Sequence, residues 1–274
     1  MSLKDKIEIT GQTDIGSVRA HNEDTIGSNT DIGLAVLADG MGGHRGGEVA
    51  SAITVSTVLE KLGDRLKTIK SAEPQEHSQY SQESIAVLDV IYEANTNVFN
   101  ASSENSQYRG MGTTVVVLLF YDNRFTVAHV GDSRLYRLRD GELEQITRDH
   151  SLMQELIDRG FYTPEQARKS LNKNLVTRAV GIEETVEIDV LEDVAHPDDI
   201  YLLCSDGVTD MIDDDVIKKI IIDNSDNLDQ TAAELIRVSN EAGGKDNISA
   251  MLARPIKSFP ASNNLFSRFF ELFS

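Results

Sequence analysis

The 274-residue sequence predicts an α+β fold with a core of antiparallel strands and helices packed around it. Strand-like apolar runs flank the turns Asp122-Asn123 and Asp140-Gly141, and connections this short join antiparallel neighbours. At 83–101 and 228–242, apolar residues recur at the spacing of an amphipathic helix. With 40% hydrophobic residues, the chain has enough apolar surface for a sizeable core.

The first part of the chain predicts two strands, a helix and a polar connection. Residues 7–12 form a short predicted strand. The mostly apolar run at 34–38 has the length and content of a strand buried on both faces. Residues 47–62 are rich in Ala, Val, Ile and Leu and predict a helix, whereas the polar stretch 63–82 predicts a solvated loop or insertion.

The middle of the chain predicts one long helix and a series of strands. Helix 83–101 is expected to pack on the core through four apolar residues at helical spacing, Ile85, Leu88, Tyr92 and Phe99. Three apolar runs separated by turns predict strands at 115–120, 125–130 and 135–138.

The last part alternates helices with two strands. Ser151 suits a helix start, and so does Thr163, because a proline follows it at the first helical position. Apolar runs predict strands at 200–204 and 248–253, and periodic segments predict helices at 213–222 and 228–242.

The chain is strongly acidic, with a formal net charge of −19 and a pI of about 4.6. This charge argues against nonspecific nucleic-acid binding, which depends on Lys and Arg at phosphates. It suits a pocket that concentrates cations, although for most of the acids a role in solubility is sufficient.

Cysteine usage and hydropathy indicate the compartment. The single cysteine, Cys204, excludes an internal disulfide and lies in an apolar run, which favours a buried thiol in a reducing compartment. The first ten residues lack the apolar stretch of a signal peptide. No run reaches the roughly 18 apolar residues that span a bilayer. We therefore expect a cytoplasmic protein without a transmembrane segment.

Four aspartates stand where a rigid element meets a glycine turn. Asp39, Asp132 and Asp206 each lie beside a glycine at the end of a predicted strand, and Asp246 follows a glycine pair before another. An isolated Asp-Gly is most often an ordinary turn, but its repetition favours a shared metal site. Carboxylate and carbonyl oxygens suit Mg²⁺ or Mn²⁺, and the scarcity of Cys and clustered His disfavours zinc.

A second polar group lies near the N-terminus. Arg19 offers a planar fork of donors that matches phosphate oxygens, and Glu23 and Asp24 follow it as candidate ligands of a cation or its water. A surface Arg–Glu ion pair is the plain alternative. Two cations sharing Asp39 would lie about 3.5–4 Å apart and bridge a water, which as hydroxide would attack a phosphate held by Arg19.

The order of the motifs matches a known family. Eight motifs occur in sequence: RAHNED, LADGMGGHRGGEVAS, GMGTT, VGDSRLY, DHSL, VTRAVG, LLCSDGVTD and KDNIS. Together they resemble the metal-dependent (type 2C, PPM) protein serine/threonine phosphatases in their compact bacterial form, over about residues 7–253. No single motif carries the resemblance.

The resemblance implies an α-β-β-α sandwich of two packed, mainly antiparallel sheets with helices on both outer faces. It implies that Asp39 bridges two metal ions, that Gly40 supplies a carbonyl, and that Asp206 and Asp246 bind one of the ions. The implied cofactors are two Mn²⁺ or Mg²⁺ ions and a weaker third.

Further roles follow from the same resemblance. Glu23 corresponds to an acid that acts on the other ion through water, supported by Asp24. Arg19 corresponds to the phosphate-binding arginine. Asp132 corresponds to a ligand of the third ion of bacterial relatives. Residues 148–175 correspond to a flap over the site, which bears on substrate choice.

One position departs from the animal members of the family, which have a histidine directly after the Asp-Gly pair as a proposed general acid. Met41 stands there in this chain. His44, three residues later, is a candidate replacement. The alternative is a structural or exposed imidazole, with a metal-bound water protonating the leaving group.

The predicted function is that of a metal-dependent serine/threonine protein phosphatase that acts on phosphoserine and phosphothreonine and counteracts a bacterial Ser/Thr kinase. We expect a monomer with a catalytic domain at 1–254 and an amphipathic helix in the tail 255–274. Its expected partners are phosphorylated proteins and not nucleic acid. A catalytically silent scaffold is disfavoured because the expected acids and Arg19 are all present. Another two-metal hydrolase, such as a nuclease, is disfavoured by the charge.

Overall fold

The computed structural model describes residues 2–42, 45–69, 79–163, 166 and 175–260. Within these ranges the chain forms eleven strands and six α-helices. The strands are β1 (Ile7–Asp14), β2 (Asp24–Asn29), β3 (Leu34–Met41), β4 (Gly112–Thr113), β5 (Val115–Tyr121), β6 (Arg124–Val130), β7 (Arg134–Arg139), β8 (Glu142–Gln145), β9 (Asp189–Val194), β10 (Ile200–Cys204) and β11 (Ile248–Pro255). The helices are α1 (Gly46–Thr68), α2 (Gln82–Glu104), α3 (Leu152–Asp158), α4 (Asp206–Thr209), α5 (Asp214–Asp223) and α6 (Leu228–Glu241).

The strands form two antiparallel sheets. Sheet A has the order β1-β11-β10-β7-β8, and sheet B has the order β2-β3-β5-β6-β9, with β4 paired to the end of β3. Helices α1 and α2 cover the outer face of sheet B, and α5 and α6 cover that of sheet A. A third apolar core lies between the sheets. The predicted α-β-β-α sandwich is confirmed.

Alternation along β3 distributes its side chains between two cores. Ala35 and Leu37 point into the space between the sheets, and Leu34, Val36 and Ala38 pack against the helices. All five residues are buried. The run is therefore apolar on both faces, as a strand between two cores requires.

Aromatic residues fix the two sheets against each other. The ring of Tyr201 on β10 meets Phe120 and Phe125 of sheet B edge to face, at centroid distances of 5.2 and 4.9 Å. Close packing of this kind leaves little freedom for one sheet to slide over the other. Side chains at the ends of strands from both sheets can therefore form one rigid site.

Two predictions in the helical layer need correction. Helix α1 continues to Thr68, so 63–68 is helical rather than a loop, while 70–78 lies outside the described residues. Helix α2 exists as predicted, but Tyr92 is 45% exposed and the four apolar residues expected at its buried face are not fully buried. The face that packs on α1 and sheet B consists of Ala86, Val87, Val90, Ile91, Ala94 and Val98. Two apolar stripes run along this helix, and the smaller side chains allow the closer approach.

Strands β2, β8 and β9 were not predicted. Their sequences, DTIGSN, ELEQ and DVLEDV, are polar, and each strand lies at the edge of a sheet. An edge strand pairs on one side and tolerates polar side chains. Composition therefore does not distinguish these strands from loops.

The packed part of the chain continues past residue 254, where the sequence predicts a domain boundary. Strand β11 runs to Pro255, and Phe259 is 2% exposed, with its ring 6.0 Å from Phe120 in the core between the sheets. The tail helix expected after residue 260, and most of the second helix expected after Thr163, lie outside the described residues. Among the described residues, no helix has the length and apolar content needed to cross a membrane.

Candidate metal centre

Asp39 lies within β3 rather than at its end. The strand continues to Met41, because Gly40 and Met41 pair with β4. The Asp39 N–H donates to the hydroxyl of Thr114 at 3.0 Å, and its carbonyl accepts the Thr114 N–H at 2.8 Å. The backbone that carries the Asp39 carboxylate is thus held by the neighbouring strand.

Asp24 lies buried beside Asp39 and joins the two sheets. It faces Asp39 in the pairing of β2 with β3. Its Oδ2 accepts hydrogen bonds from the hydroxyls of Ser205, directly after β10, and Ser249, in β11, at 2.9 and 2.6 Å. Its Oδ1 is buried and has no hydrogen-bond partner among the described residues. Burial raises the pKa of Asp24 to about 6, despite the two serine hydroxyls.

The close approach of two glycines places Glu23 next to the carbonyl of Gly40. A Cβ on Gly40 would lie 2.1 Å from the Gly47 carbonyl oxygen, and one on Gly47 would lie 2.8 Å from both Glu23 Oε1 and the Gly40 oxygen. The Glu23 carboxylate accepts the N–H of Gly47 in the first turn of α1. Its pKa is raised by partial burial, against the opposing effect of Arg19.

Asp206 and Asp246 approach the same point from sheet A. Asp206 begins α4 directly after β10, and Asp246 lies just before β11. Burial and the nearby Asp132 and Asp246 raise the pKa of Asp206 well above its usual value. Burial and the nearby acids, Asp24 and Asp206 first among them, raise the pKa of Asp39 likewise. These acids therefore form one electronegative cluster.

Arg19 is bound to an acid of this cluster. Its Nη2 lies 2.6 Å from Asp246 Oδ2, and the backbone N–H of Asn247 donates to Asp246 Oδ1 at 2.8 Å. Partial burial opposes the charge of Arg19, but its hydrogen bond and attraction to Asp246 outweigh this and raise its pKa. The Arg19 side chain is 49% exposed, so an anion from solvent has access to it.

Asp132 lies in the loop between β6 and β7, where it is 9% exposed. Burial, followed by the charge of Asp149, raises its pKa to about 6. It also contributes to the raised pKa of Asp206, so the two carboxylates are neighbours. The structure therefore brings these two acids near each other, and their role as ligands stays a prediction.

The donor set fits a hard divalent cation. Its atoms are carboxylate oxygens and the Gly40 carbonyl, which Mg²⁺ and Mn²⁺ prefer, and the buried Oδ1 of Asp24 points to missing positive charge. The acids are not in tight ligand geometry, however. Within the described residues, the three candidate ligands with atoms within 4.8 Å of one another are His129, His150 and Asp189. The Arg19 ion pair gives a physical reason, since it occupies one oxygen of Asp246.

Several residues that organise the site were not predicted. Asn247 accepts the Glu23 N–H through Oδ1 at 2.8 Å and donates through Nδ2 to the carbonyls of Ile15 and His21 at 3.0 and 2.9 Å. Small polar residues beside or near each acid do similar work: Thr114, Ser205 and Ser249. Ser205, Asn247 and Ser249 stand in the same motifs as Asp206 and Asp246, which was an available signal, whereas the motif that contains Thr114 has no acid.

The candidate general acid cannot be placed. His44 lies outside the described residues. Met41, which stands where animal members of the resembled family have histidine, is half-buried and pairs with Gly112. The role of His44 stays a prediction.

Comparison with known proteins agrees with this geometry. A family model described as protein phosphatase 2C matches residues 16–253. The chain belongs to the protein phosphatase 2C family. The resemblance stated from the motifs is confirmed.

Curated relatives of this protein phosphatase 2C chain include two bacterial enzymes. Serine/threonine protein phosphatase PstP of Mycobacterium tuberculosis is 36% identical over 248 residues, and protein phosphatase PhpP of Streptococcus pneumoniae is 34% identical over 250 residues. Each alignment covers 90% of this chain. It covers 96% of PhpP but 45% of PstP, so the chain spans less than half the length of the mycobacterial relative.

Solved structures of the family share the fold. The crystal structure of M. tuberculosis PstP has a TM-score of 0.80 at 34% identity, covering 91% of this chain and 98% of that one. The catalytic domain of PstP in complex with two manganese ions has a TM-score of 0.77 at 34% identity, covering 92% and 99%.

Replacing Asp39 with asparagine should stabilise the protein in the absence of metal. The raised pKa of Asp39 means that folding opposes its ionisation. The stability of wild type associated with such acids is present below their unfolded pKa of about 4 and is lost as the pH rises through their folded pKa. The advantage of Asp39→Asn in melting temperature should therefore grow as the pH rises from 5 to 7, while Mn²⁺ should stabilise only wild type.

The control is Asp223→Asn, which removes an exposed acid of α5 and should preserve the Mn²⁺ effect. Thermal melts with and without Mn²⁺ make the comparison. A metal-free Asp39→Asn protein that is less stable than wild type at pH 7 would contradict repulsion at this site.

Replacing Arg19 with alanine should tighten Mn²⁺ binding when no phosphate is present. The side chain competes with a cation for Asp246, and an exposed ion pair of this kind is worth about 0.2–1 kcal/mol. Calorimetric titration should show a gain of up to about fivefold, whereas Arg237→Ala, which removes an ion-paired arginine of α6, should show none. Weaker Mn²⁺ binding by Arg19→Ala would mean that the arginine supports the metal site.

Proposed function

We propose that the chain is a metal-dependent serine/threonine protein phosphatase that hydrolyses phosphoserine and phosphothreonine in proteins. The observation that supports this best is the cluster in which the charges of Asp206 and Asp246 raise the pKa of Asp39, with the exposed guanidinium of Arg19 bound to Asp246. A relative that aligns along almost its whole length, PhpP, is named a protein phosphatase.

The metal ligands are proposed from the same cluster. Asp39 would be a ligand shared by two ions. Asp206 and Asp246 would be further ligands of one ion, and Glu23 and the Gly40 carbonyl would face the other. When bound, Mn²⁺ or Mg²⁺ would neutralise phosphoryl oxygens and activate a water for attack. The relative solved with two manganese ions supports the number two. A third, weaker ion would use Asp132.

Arg19 is proposed as the phosphate-binding residue. Its guanidinium can present two donors to two phosphate oxygens, which fixes the orientation of the ester as well as its position. The loop that carries it is held in place, since the N–H of Ser17 donates to the Gly244 carbonyl at 2.7 Å and a Cβ on Gly16 would lie 2.1 Å from the Asp246 oxygen. Arg19 can therefore move from Asp246 to a substrate by rotation of its side chain alone.

The substrates are proposed to be proteins phosphorylated by a Ser/Thr kinase, because the reaction removes the group that such a kinase adds. A monomer in the cytoplasm, expected from the sequence, stays part of this proposal. Residues 148–175, in which Asp149 lies near Asp132 of the cluster, are proposed to act as the flap that selects among substrates.

A phosphopeptide assay tests the proposed function. Wild type with Mn²⁺ should release phosphate from a phosphothreonine peptide, against a negligible background because phosphate monoesters hydrolyse very slowly on their own. Asp39→Asn should release none, and Arg19→Ala should raise KM. Asp223→Asn is the matched control for a lost acid.

The same preparations are given single-stranded DNA. We expect no cleavage, since the net charge of −19 repels a polyanion. DNA cleavage without phosphopeptide hydrolysis would favour a nuclease, and Mn²⁺-independent hydrolysis would reject the metal mechanism.

A further inference from the structure

Each neighbour of Asp132 in the chain is tied to another element. The N–H of Gly131 donates to His150 Nδ1 at 3.1 Å, and the Gly131 carbonyl accepts the His150 N–H at 2.9 Å. On the other side, the hydroxyl of Ser133 shares a hydrogen bond of 2.7 Å with that of Thr114. Since Thr114 also holds the backbone of Asp39, the two acids are fixed by one connected set of contacts.

Arg134, two residues after Asp132, is clamped by Asp149. The guanidinium donates to both carboxylate oxygens of Asp149, from Nε at 2.9 Å and from Nη2 at 2.7 Å. The two side chains are only 24% and 11% exposed, so solvent screens this pair weakly. A bidentate pair also fixes the relative orientation of its partners.

The imidazole of His150 is itself held in one orientation. Its ring stacks on His129 at 4.6 Å, and its Nε2 lies 3.4 Å from Asp189 Oδ2. The same Nε2 lies 3.1 Å from Arg178 Nη1. Arg178 donates to Asp189 at 2.7 Å, so a cation already occupies the space between this carboxylate and the ring. His129, His150 and Asp189 have donor atoms as close together as those of a metal site. Their contacts with one another and with Arg178 instead hold the His150 ring in place.

Asp149 and His150 are also the residues through which the chain enters the flap region. The carbonyl of His150 accepts the N–H of Thr177 at 2.8 Å, and the N–H of Leu152 donates to the carbonyl of Leu175 at 2.9 Å. The two ends of the flap region are thus joined by backbone hydrogen bonds next to His150, which also contacts the Asp132 loop.

We propose that Asp149 and His150 are positioning residues for Asp132, so that the base of the flap sets the geometry of the acid assigned to the third ion. This inference rests on the proposed function of the site. It assigns a role to a histidine and an aspartate that the sequence did not single out as site residues.

The test is a Mn²⁺ titration by calorimetry on the full chain. Asp132→Asn should weaken the weakest binding event and leave the tighter ones. His150→Leu, which removes the acceptor for the Gly131 N–H, should weaken the same event about tenfold, as loss of an orienting partner does elsewhere. The double variant should bind Mn²⁺ as weakly as Asp132→Asn alone, because the effect of His150 on binding acts through the Asp132 carboxylate.

Three further variants separate positioning from folding. His150→Asn can place its Oδ1 close to the Nδ1 position and should restore wild-type binding, and His196→Leu, which removes an exposed histidine, should change nothing. If His150→Leu does not fold, Asp149→Asn takes its place in the test. It removes the charge that pairs with Arg134 and should weaken the same Mn²⁺ binding event. Hydrogen exchange of the Gly131 amide, without metal, should accelerate in His150→Leu and not in His150→Asn.

Three results would overturn the proposal: a Mn²⁺ titration of His150→Leu that superimposes on wild type, equal weakening of all binding events, or an Asp132→Asn protein that titrates like wild type. Phosphopeptide release by wild type is measured alongside. Its absence, with the titrations as expected, would reject the proposed function and leave the positioning role in place.

Discussion

Repulsion between buried carboxylates is the constraint on which the site depends. Left to themselves, like charges in a partly buried space separate or take up protons. Here rigid elements prevent separation: Thr114 holds the backbone of Asp39, and Ser205 and Ser249 hold Asp24. The acidic cluster therefore attracts positive charge. Arg19 neutralises part of the negative charge, and divalent cations would neutralise more of it.

The two-sheet architecture is what makes this concentration of charge achievable. Asp39 and Asp24 come from sheet B, and Asp206 and Asp246 flank strands of sheet A. The aromatic packing of Tyr201 between the sheets fixes their separation. A slip of one residue in the pairing of the edge strand β2 with β3 would turn Asp24 to the opposite face of the sheet, so the register is as important as the acids themselves.

Residue type and pattern predicted those parts of the fold in which composition alone is decisive. The run at 34–38 and the strand at 200–204 are apolar because both their faces are buried, and both predictions were confirmed. The edge strand β9 was missed because it pairs with one neighbouring strand only and can therefore be polar. The buried face of α2 was assigned to the stripe that contains Tyr92, because the helix carries a second apolar stripe and the sequence does not show which one is buried.

The same division holds within the site. Four of the acids were predicted as ligands because each stands beside or shortly after a glycine next to a predicted strand, but their supporting residues were not predicted. Ser249 and Asn247 act through partners more than 200 positions away, and no local pattern encodes such pairs. The attachment of Arg19 to Asp246 is likewise a result of folding, invisible in the spacing of either residue.

Manganese anomalous diffraction from crystals grown with Mn²⁺ tests the central claim most directly. We expect density peaks between the carboxylates of Asp39, Asp206 and Asp246, with Arg19 turned away from Asp246. A crystal with Mn²⁺ bound only elsewhere, for example at His129, His150 and Asp189, and with the Arg19 ion pair intact, would contradict a metal centre built from these aspartates.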